Sequence, residues 1–244
     1  QAKAKMSSAK EDTHKMPPTL SQFIMTHQPQ GSRGDFTLLT MAIATACKIV
    51  EKNIRRAGMS GNFGYVGTGN SSGDDQAKLD VISNDAFKNL LIASEKITIL
   101  GSEEEDSAVL VDKDKRGGYM ICFDPLDGSS NIDANVSVGS IWGIWKLPPT
   151  VEITNLAEAN KALMRSGREL VSAGYAMYGS ATNIVITTGH GVDGFTLDAT
   201  IGEFVLTHPK MQIRKKRSIY SVNEGNARYW HAWFAEYIEH IKHI

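Results

Sequence analysis

The stretch YMICFDPLDGSSNI, residues 119–132, decides how this 244-residue chain is read. The apolar run Tyr119 to Phe123 has the pattern of a strand buried on both faces, and ligands of open α/β sheets gather where such strands end. Asp124 and Asp127 stand at that end. Pro125 cannot extend a strand ladder. Gly128 permits a turn in which the N–H groups of Gly128, Ser129 and Ser130, at an expected helix start, can approach an anion. A lone Asp-Gly-Ser is ordinarily a polar turn that caps a helix; the full string is far more specific. Carboxylates alone would repel a phosphate, but a hard cation such as Mg²⁺, with oxygen ligands at about 2.0–2.1 Å, inverts the local charge. The chemistry that suits these residues is metal-assisted work on a phosphate ester.

A second acidic group supports this. Ile97 to Leu100 reads as another short buried strand, followed by Ser102, Glu103, Glu104, Glu105 and Asp106. Four consecutive acids usually form a solvated run. Here a strand at Ala108–Val111 and a turn at Lys113–Gly118 lead back into Tyr119, so both acidic groups can share one sheet end. Upstream, residues 58–75 hold six glycines and end in Asp74 and Asp75, which predicts a mobile loop between two helices. Asp80 falls in the first turn of the next helix, where capping competes with catalysis as its role.

Apolar spacing predicts a short helix at 21–27 and a long one from Asp35, as N-cap, to Gly58. Leu38, Leu39, Ala42, Ile43, Ala46, Ile49, Val50 and Ile54 would form its buried face. A third helix is expected over 76–94 and a short one near 156–164. Strands are expected at 136–146, 170–177, 184–187, 195–197, 204–206 and 219–222, and an amphipathic helix at 227–244 carrying Trp230, Phe234, Tyr237, Ile238 and Ile241. Strands that follow helices through short connections argue for a layered, mixed α/β fold.

A formal net charge of −1 excludes strong global steering toward nucleic acid, and the basic run at 214–217 reads as a solvated strand edge. No apolar run reaches the roughly 20 residues that span a bilayer, and no signal-peptide pattern appears, so a soluble cytoplasmic protein is expected, with an organelle as the alternative. Cys47 and Cys122 make no disulfide framework and are expected to be reduced core residues. The seven histidines show no metal-ligand spacing near the acids, Ser-His-Asp catalysis lacks a nucleophile elbow, and the glycines at 64, 67 and 69 do not follow a strand.

The segments GDDQAKLDV (73–81), Ser102-Glu103-Glu104, Phe123 to Asp133, Ala173 to Ser180, Ile201-Gly202-Glu203-Phe204 and Ser221-Val222-Asn223-Glu224-Gly225 resemble the fructose-1,6-bisphosphatase family in residue and order. The resemblance implies a layered sugar-phosphatase fold with mixed sheets between helix layers. After a flexible tail (1–18), it implies a regulatory and metal-binding domain over 19–207, and a catalytic domain from 208 that is cut short at 244. It implies Mg²⁺, with Mn²⁺ or Zn²⁺ as alternatives, on Glu103, Asp124, Asp127, the Leu126 carbonyl and Asp74. Asp80 and Glu104, with Asp74, would activate the attacking water. Asp127, Gly128, Ser129 and Ser130 would hold the 1-phosphate of fructose 1,6-bisphosphate, and Asn223 the other phosphate.

The same resemblance implies a homotetramer inhibited by AMP at Gly34, Asp35, Phe36, Thr37, Tyr119 and Lys146. Gly118 stands where relatives commonly have a phosphate-binding Lys, and Lys146 replaces an Arg, so Arg33 is expected to supply charge. Residues 146–167 lack the cysteine of plastid relatives, which argues against thioredoxin control. The runner-up readings are a sedoheptulose bisphosphatase, an inositol-phosphatase relative, and an inactive fragment or regulatory subunit that only binds metal and phosphate.

Overall fold

The computed structural model describes residues 16–28, 32–60, 65–69, 75–216 and 219–243, with backbone alone for 65–69 and 75–77. The expected tail lies almost wholly outside them. A capping box opens the first helix, α1 (Leu20–His27): the Gln22 N–H donates to Thr19 Oγ1 at 3.3 Å and the Thr19 N–H donates to Gln22 Oε1 at 3.0 Å. The long helix α2 (Asp35–Ser60) buries Leu39, Ile43, Ala46, Cys47 and Val50 on one stripe. Two expectations fail at its start. Leu38, assigned to the buried stripe, is exposed. Asp35 is the first helical residue rather than the cap, because Gly34 turns the chain at φ +80° and Asp35 is drawn into an ion pair with Lys96 at 2.9 Å.

The glycine-rich stretch is not wholly irregular. Strand β1 (Tyr65–Gly69) pairs antiparallel with β2 (Asp75–Ala77), Tyr65 opposite Ala77 and Gly69 opposite Asp75. Ladder bonds use backbone groups alone, so glycines weaken such a ribbon without forbidding it. Helix α3 (Lys78–Ala93) therefore starts two residues later than its spacing predicts.

Eight further strands follow, β3 (Ile97–Ser102), β4 (Val109–Leu110), β5 (Tyr119–Asp127), β6 (Val138–Lys146), β7 (Ser172–Tyr178), β8 (Thr182–Thr187), β9 (Val192–Asp198) and β10 (Glu203–His208), with helix α4 (Leu156–Leu163) between β6 and β7. They make one sheet in the order β10-β9-β8-β7-β6-β5-β3-β4. The β3–β5 pair is parallel and the others antiparallel. This is the expected mixed α/β architecture. Alternation along β5 divides the core: Ile121 and Phe123 join the cluster that contains the buried residues of α1, α2 and α3, while Met120 joins Trp145 and Ala159 on the α4 side. Phe87 of α3 stacks on Phe123 with ring centroids 5.2 Å apart, which packs the middle of α3, the helix that carries Asp80, against β5.

Burial pushes the Cys47 thiol up to about 12 and raises that of Cys122, so both are protonated and inert at neutral pH. Cys122 is only half-buried, contrary to expectation.

The described residues up to Met211 form one compact unit and those from Gln212 onward a second. In the second, residues 219–222 carry no regular structure where a strand was expected, and residues 214–216 are likewise irregular rather than a strand edge. The terminal helix α5 (Ala232–Lys242) begins five residues after its expected start. Asn223 Oδ1 accepts from the Gly225 N–H at 3.1 Å and opens a 3-10 run, Glu224–Tyr229, and His231 is extended at φ −62°, ψ 146°, so the α-helix can begin only beyond it. Among the described residues, no helix is long and apolar enough to cross a membrane.

Candidate active site

Strand β5 does not stop at Phe123 as Pro125 predicts. Asp124 pairs with Ile141 and Asp127 with Gly139, so three steps on β5 are matched by two on β6. The extra residue is a β-bulge at Pro125–Leu126, a position that leaves a residue out of the ladder and so tolerates proline. In a regular strand, residues three apart point to opposite faces. The bulge instead places Asp124 and Asp127 over partners two apart, on one face.

The Leu126 N–H closes the bulge locally, donating to Asp124 Oδ1 at 3.0 Å. Burial pushes the Asp124 carboxyl up to about 6; the Leu126 N–H opposes this, and the charges of Asp127, Glu103 and Asp80 add to it. These four acids therefore sit within electrostatic reach of one another. Asp80 is 3% exposed and accepts from Ser129 Oγ at 3.1 Å, tying α3 to the turn after β5.

Parallel pairing brings the second acidic group to the same end. The Glu103 N–H donates to the Phe123 carbonyl at 3.1 Å, continuing the β3–β5 ladder. The acidic run then divides. The Glu104 N–H donates to Ser102 Oγ at 3.3 Å, Ser102 Oγ donates to Asn84 Oδ1 at 2.7 Å, and Asn84 Nδ2 donates to Glu105 Oε1 at 2.8 Å. Lys88 completes this clip with an ion pair to Glu105. Burial raises the Glu105 carboxyl, but the hydrogen bonds from Lys88 and Asn84 outweigh it and hold the group below the usual range. Glu105 thus anchors the acidic turn to α3. The one advance signal for this clip is the i, i+4 spacing of Asn84 and Lys88.

Gly128 adopts φ +82°, and Ser129–Asn131 form a single 3-10 turn rather than the start of an α-helix. An anion at this turn would therefore meet a left-handed glycine followed by a tight turn, not a helix dipole. The first N–H groups of such a turn have no partner within it and can face an anion. Asp74 lies outside the described residues. Asn223 belongs to the second unit, where its side chain caps the 3-10 run.

Among the described residues, no three of the His, Cys, Asp and Glu side chains stand close enough to form a ready-made metal cage. The donor set is nonetheless all oxygen. The charges of Asp127, Glu103 and Asp80, which add to the effect of burial on Asp124, are what a hard divalent cation would offset, so the residues present fit such an ion.

A cavity of about 480 Å³ opens at the start of α2, lined among others by Arg33, Gly34, Asp35, Phe36, Tyr119 and Lys146. Thr37, expected among them, is not part of the lining: its hydroxyl donates to Gln28 Oε1 at 3.4 Å. Burial, then the charge of Asp35, raises the Tyr119 phenol. His27 and His190 also line the cavity, and neither is suggested by sequence spacing.

A helix-backed mixed sheet, with acids gathered at a bulge beside a glycine turn, defines an α/β protein whose sheet edge offers oxygen donors and free N–H groups side by side. Residues 18–209 match the family described as fructose-1-6-bisphosphatase, N-terminal domain, and the chain belongs to the fructose-1,6-bisphosphatase family. It is 48% identical over 214 residues to the cytosolic fructose-1,6-bisphosphatase of Arabidopsis thaliana, which covers 87% of this chain and 61% of that protein. The Brassica napus counterpart is 47% identical over the same length. The chain thus spans about three fifths of the curated relatives it matches. Among solved structures, the holo form of Leishmania major fructose-1,6-bisphosphatase superposes with a TM-score of 0.89 at 62% identity, covering 93% of this chain and 69% of that one. The T-state structure of the same enzyme gives 0.83 at 59%.

The raised Asp124 pKa sets a stability window. Without metal, the folded protein holds a proton on Asp124 up to about pH 6, whereas the unfolded chain releases it near 3.8, so this group removes stability as pH rises between those values. Asp124→Asn is expected to raise the melting temperature of the metal-free protein above pH 6, with the gain vanishing below about pH 4. Thermal melts in EDTA across this range check it.

Proposed function

We propose that the protein is a metal-dependent sugar bisphosphatase that hydrolyses the 1-phosphate of fructose 1,6-bisphosphate to fructose 6-phosphate and phosphate, a step of gluconeogenesis. The observation that carries this reading is the bulge that turns Asp124 and Asp127 to one face, beside Glu103 and the Gly128 turn. Family membership and the naming of the relatives as fructose-1,6-bisphosphatases support it.

Glu103, Asp124, Asp127 and the Leu126 carbonyl would hold the cation, with Asp74 as a further ligand. The ion is Mg²⁺ by preference, with Mn²⁺ or Zn²⁺ as substitutes. When bound, it would acidify water and neutralise charge on the phosphoryl oxygens. Asp80 and Glu104, with Asp74, would draw the proton from the attacking water. Backbone N–H groups at Gly128, Ser129 and Ser130 would orient the 1-phosphate alongside Asp127, and Asn223 would touch the substrate's second phosphate. Residues 19–207 would form the regulatory and metal-binding part, and 208–244 would belong to the catalytic part.

The cavity at the start of α2 would bind AMP as an allosteric inhibitor within a homotetramer. Gly34, Asp35, Phe36, Tyr119 and Lys146 line it together with Arg33, whose guanidinium would meet the AMP phosphate. Thr37 would contribute only after leaving Gln28. The cytosolic naming of the relatives supports a cytoplasmic location.

Phosphate release from fructose 1,6-bisphosphate should require Mg²⁺ and be abolished by EDTA. Glu104→Gln and Asp80→Asn are each expected to lower kcat roughly 10²–10⁴-fold, the range for a lost general base. Wild-type turnover by either variant would remove that residue from the proposed chemistry.

Arg33→Ala is expected to raise the AMP concentration for half-inhibition about tenfold, since hydrogen bonds to charged groups contribute about 1.5–3 kcal/mol. An unchanged inhibition curve would show that Arg33 does not compensate for Gly118.

A further inference from the structure

The Pro125 carbonyl lies inside the bulge, and two buried hydroxyls hold it. Ser140 Oγ donates to this carbonyl at 2.7 Å and stands 2.7 Å from Tyr178 Oη. Ser140 is 0% and Tyr178 5% exposed. A carbonyl only accepts, and a hydroxyl has one hydrogen, so Ser140 spends its proton on Pro125 and accepts from Tyr178. Burial, foremost, keeps the Tyr178 phenol well above its usual range, so the donor is always present at physiological pH. The buried Cys47 thiol of α2 lies beside the same phenol. Both hydroxyl hydrogens of the Ser140–Tyr178 pair point toward the bulge.

Register explains the arrangement. Ser140 sits on β6 between Gly139 and Ile141, the partners of Asp127 and Asp124, so it is the one β6 residue facing the extra β5 residue. Asp124 and Asp127 share the face of Gly139 and Ile141, and Ser140 points to the other. Tyr178 pairs with Val138 and Ala176 with Ser140, which makes Tyr178 the diagonal neighbour of Ser140 on that second face. Packing alone would be served by an apolar pair, since replacing both partners of a hydrogen bond can be neutral. Two hydroxyls in an apolar layer hold one carbonyl in place.

We infer that Ser140 and Tyr178 are positioning residues that lock the Pro125 carbonyl and so set the spacing of Asp124, the Leu126 carbonyl and Asp127 for a divalent cation. This rests on the reading of those groups as ligands. Neither residue is among the proposed ligands; both act through the bulge.

The test is calorimetric titration of the wild-type protein and its variants with MgCl₂, beside the Mg²⁺ dependence of phosphate release. Near-UV circular dichroism establishes that each variant is folded. Ser140→Ala is expected to weaken Mg²⁺ binding about tenfold and to raise the Mg²⁺ requirement equally, with KM for sugar bisphosphate within about twofold. Tyr178→Phe keeps the ring and should weaken binding roughly two- to fivefold; it decides the matter if Ser140→Ala does not fold. Because both hydroxyls act through one carbonyl, the double variant should bind no more weakly than Ser140→Ala. Wild-type Mg²⁺ affinity in the folded variants, even with a lowered melting temperature, would reduce the pair to packing and overturn the inference alone. Absence of Mg²⁺ binding by the wild type would overturn the ligand reading and the inference with it.

Discussion

Between Asp124 and Asp127 the β5 ladder carries one residue more than β6, and the chemistry of this edge follows from that slip. Without it, the two carboxylates would lie on opposite faces of the sheet, one of them toward the apolar layer under α1, α2 and α3. With it, they share a face and feel Glu103 and Asp80. Proline suits the site because the bulge removes a residue from the ladder, so its missing donor costs nothing there.

The surrounding structure brings two further groups to the slip. Parallel pairing of β3 with β5 carries the acidic turn to the same end, through the Glu103 N–H bond to Phe123. Stacking of Phe87 on Phe123 sets α3, and with it Asp80, from the other side. A protein with net charge −1 thereby concentrates negative charge at one point. Lys88 is spent on Glu105, and its cation fixes the acidic turn rather than neutralising the acids beside the bulge. What remains is a field that favours a cation and that, added to burial, pushes Asp124 toward protonation in its absence.

Features set by local pattern were legible in the sequence. Tyr119 to Phe123 reads as a buried strand from its run of large apolar residues, and α2 from spacing that buries Leu39, Ile43, Ala46 and Val50. The acids read as a group because they follow two such strands. Features set by a partner were not. A bulge is defined by the register of β6, which no β5 residue encodes except through the proline that argued for a strand end. The β1–β2 ribbon is held by backbone groups that leave no trace in side-chain pattern. Thr37 turns to Gln28, Leu38 to solvent and Glu105 to Lys88, each chosen by neighbours distant in sequence or by the rotation of a helix. Apolar spacing at Trp230 resembles an α-helix and predicts too early a start for α5, while Asn223 starts a tighter one.

The central claim, that the bulge assembles oxygen ligands for one hard cation, is tested most directly by diffraction from crystals of this protein grown with Mn²⁺, using the anomalous signal of the metal. The account predicts an anomalous peak at coordination distance from the Asp124 and Asp127 carboxylates, with Glu103 or the Leu126 carbonyl completing the shell and the β5–β6 slip intact. Full occupancy of a site elsewhere, with this edge empty at a Mn²⁺ concentration that supports phosphate release, would contradict it.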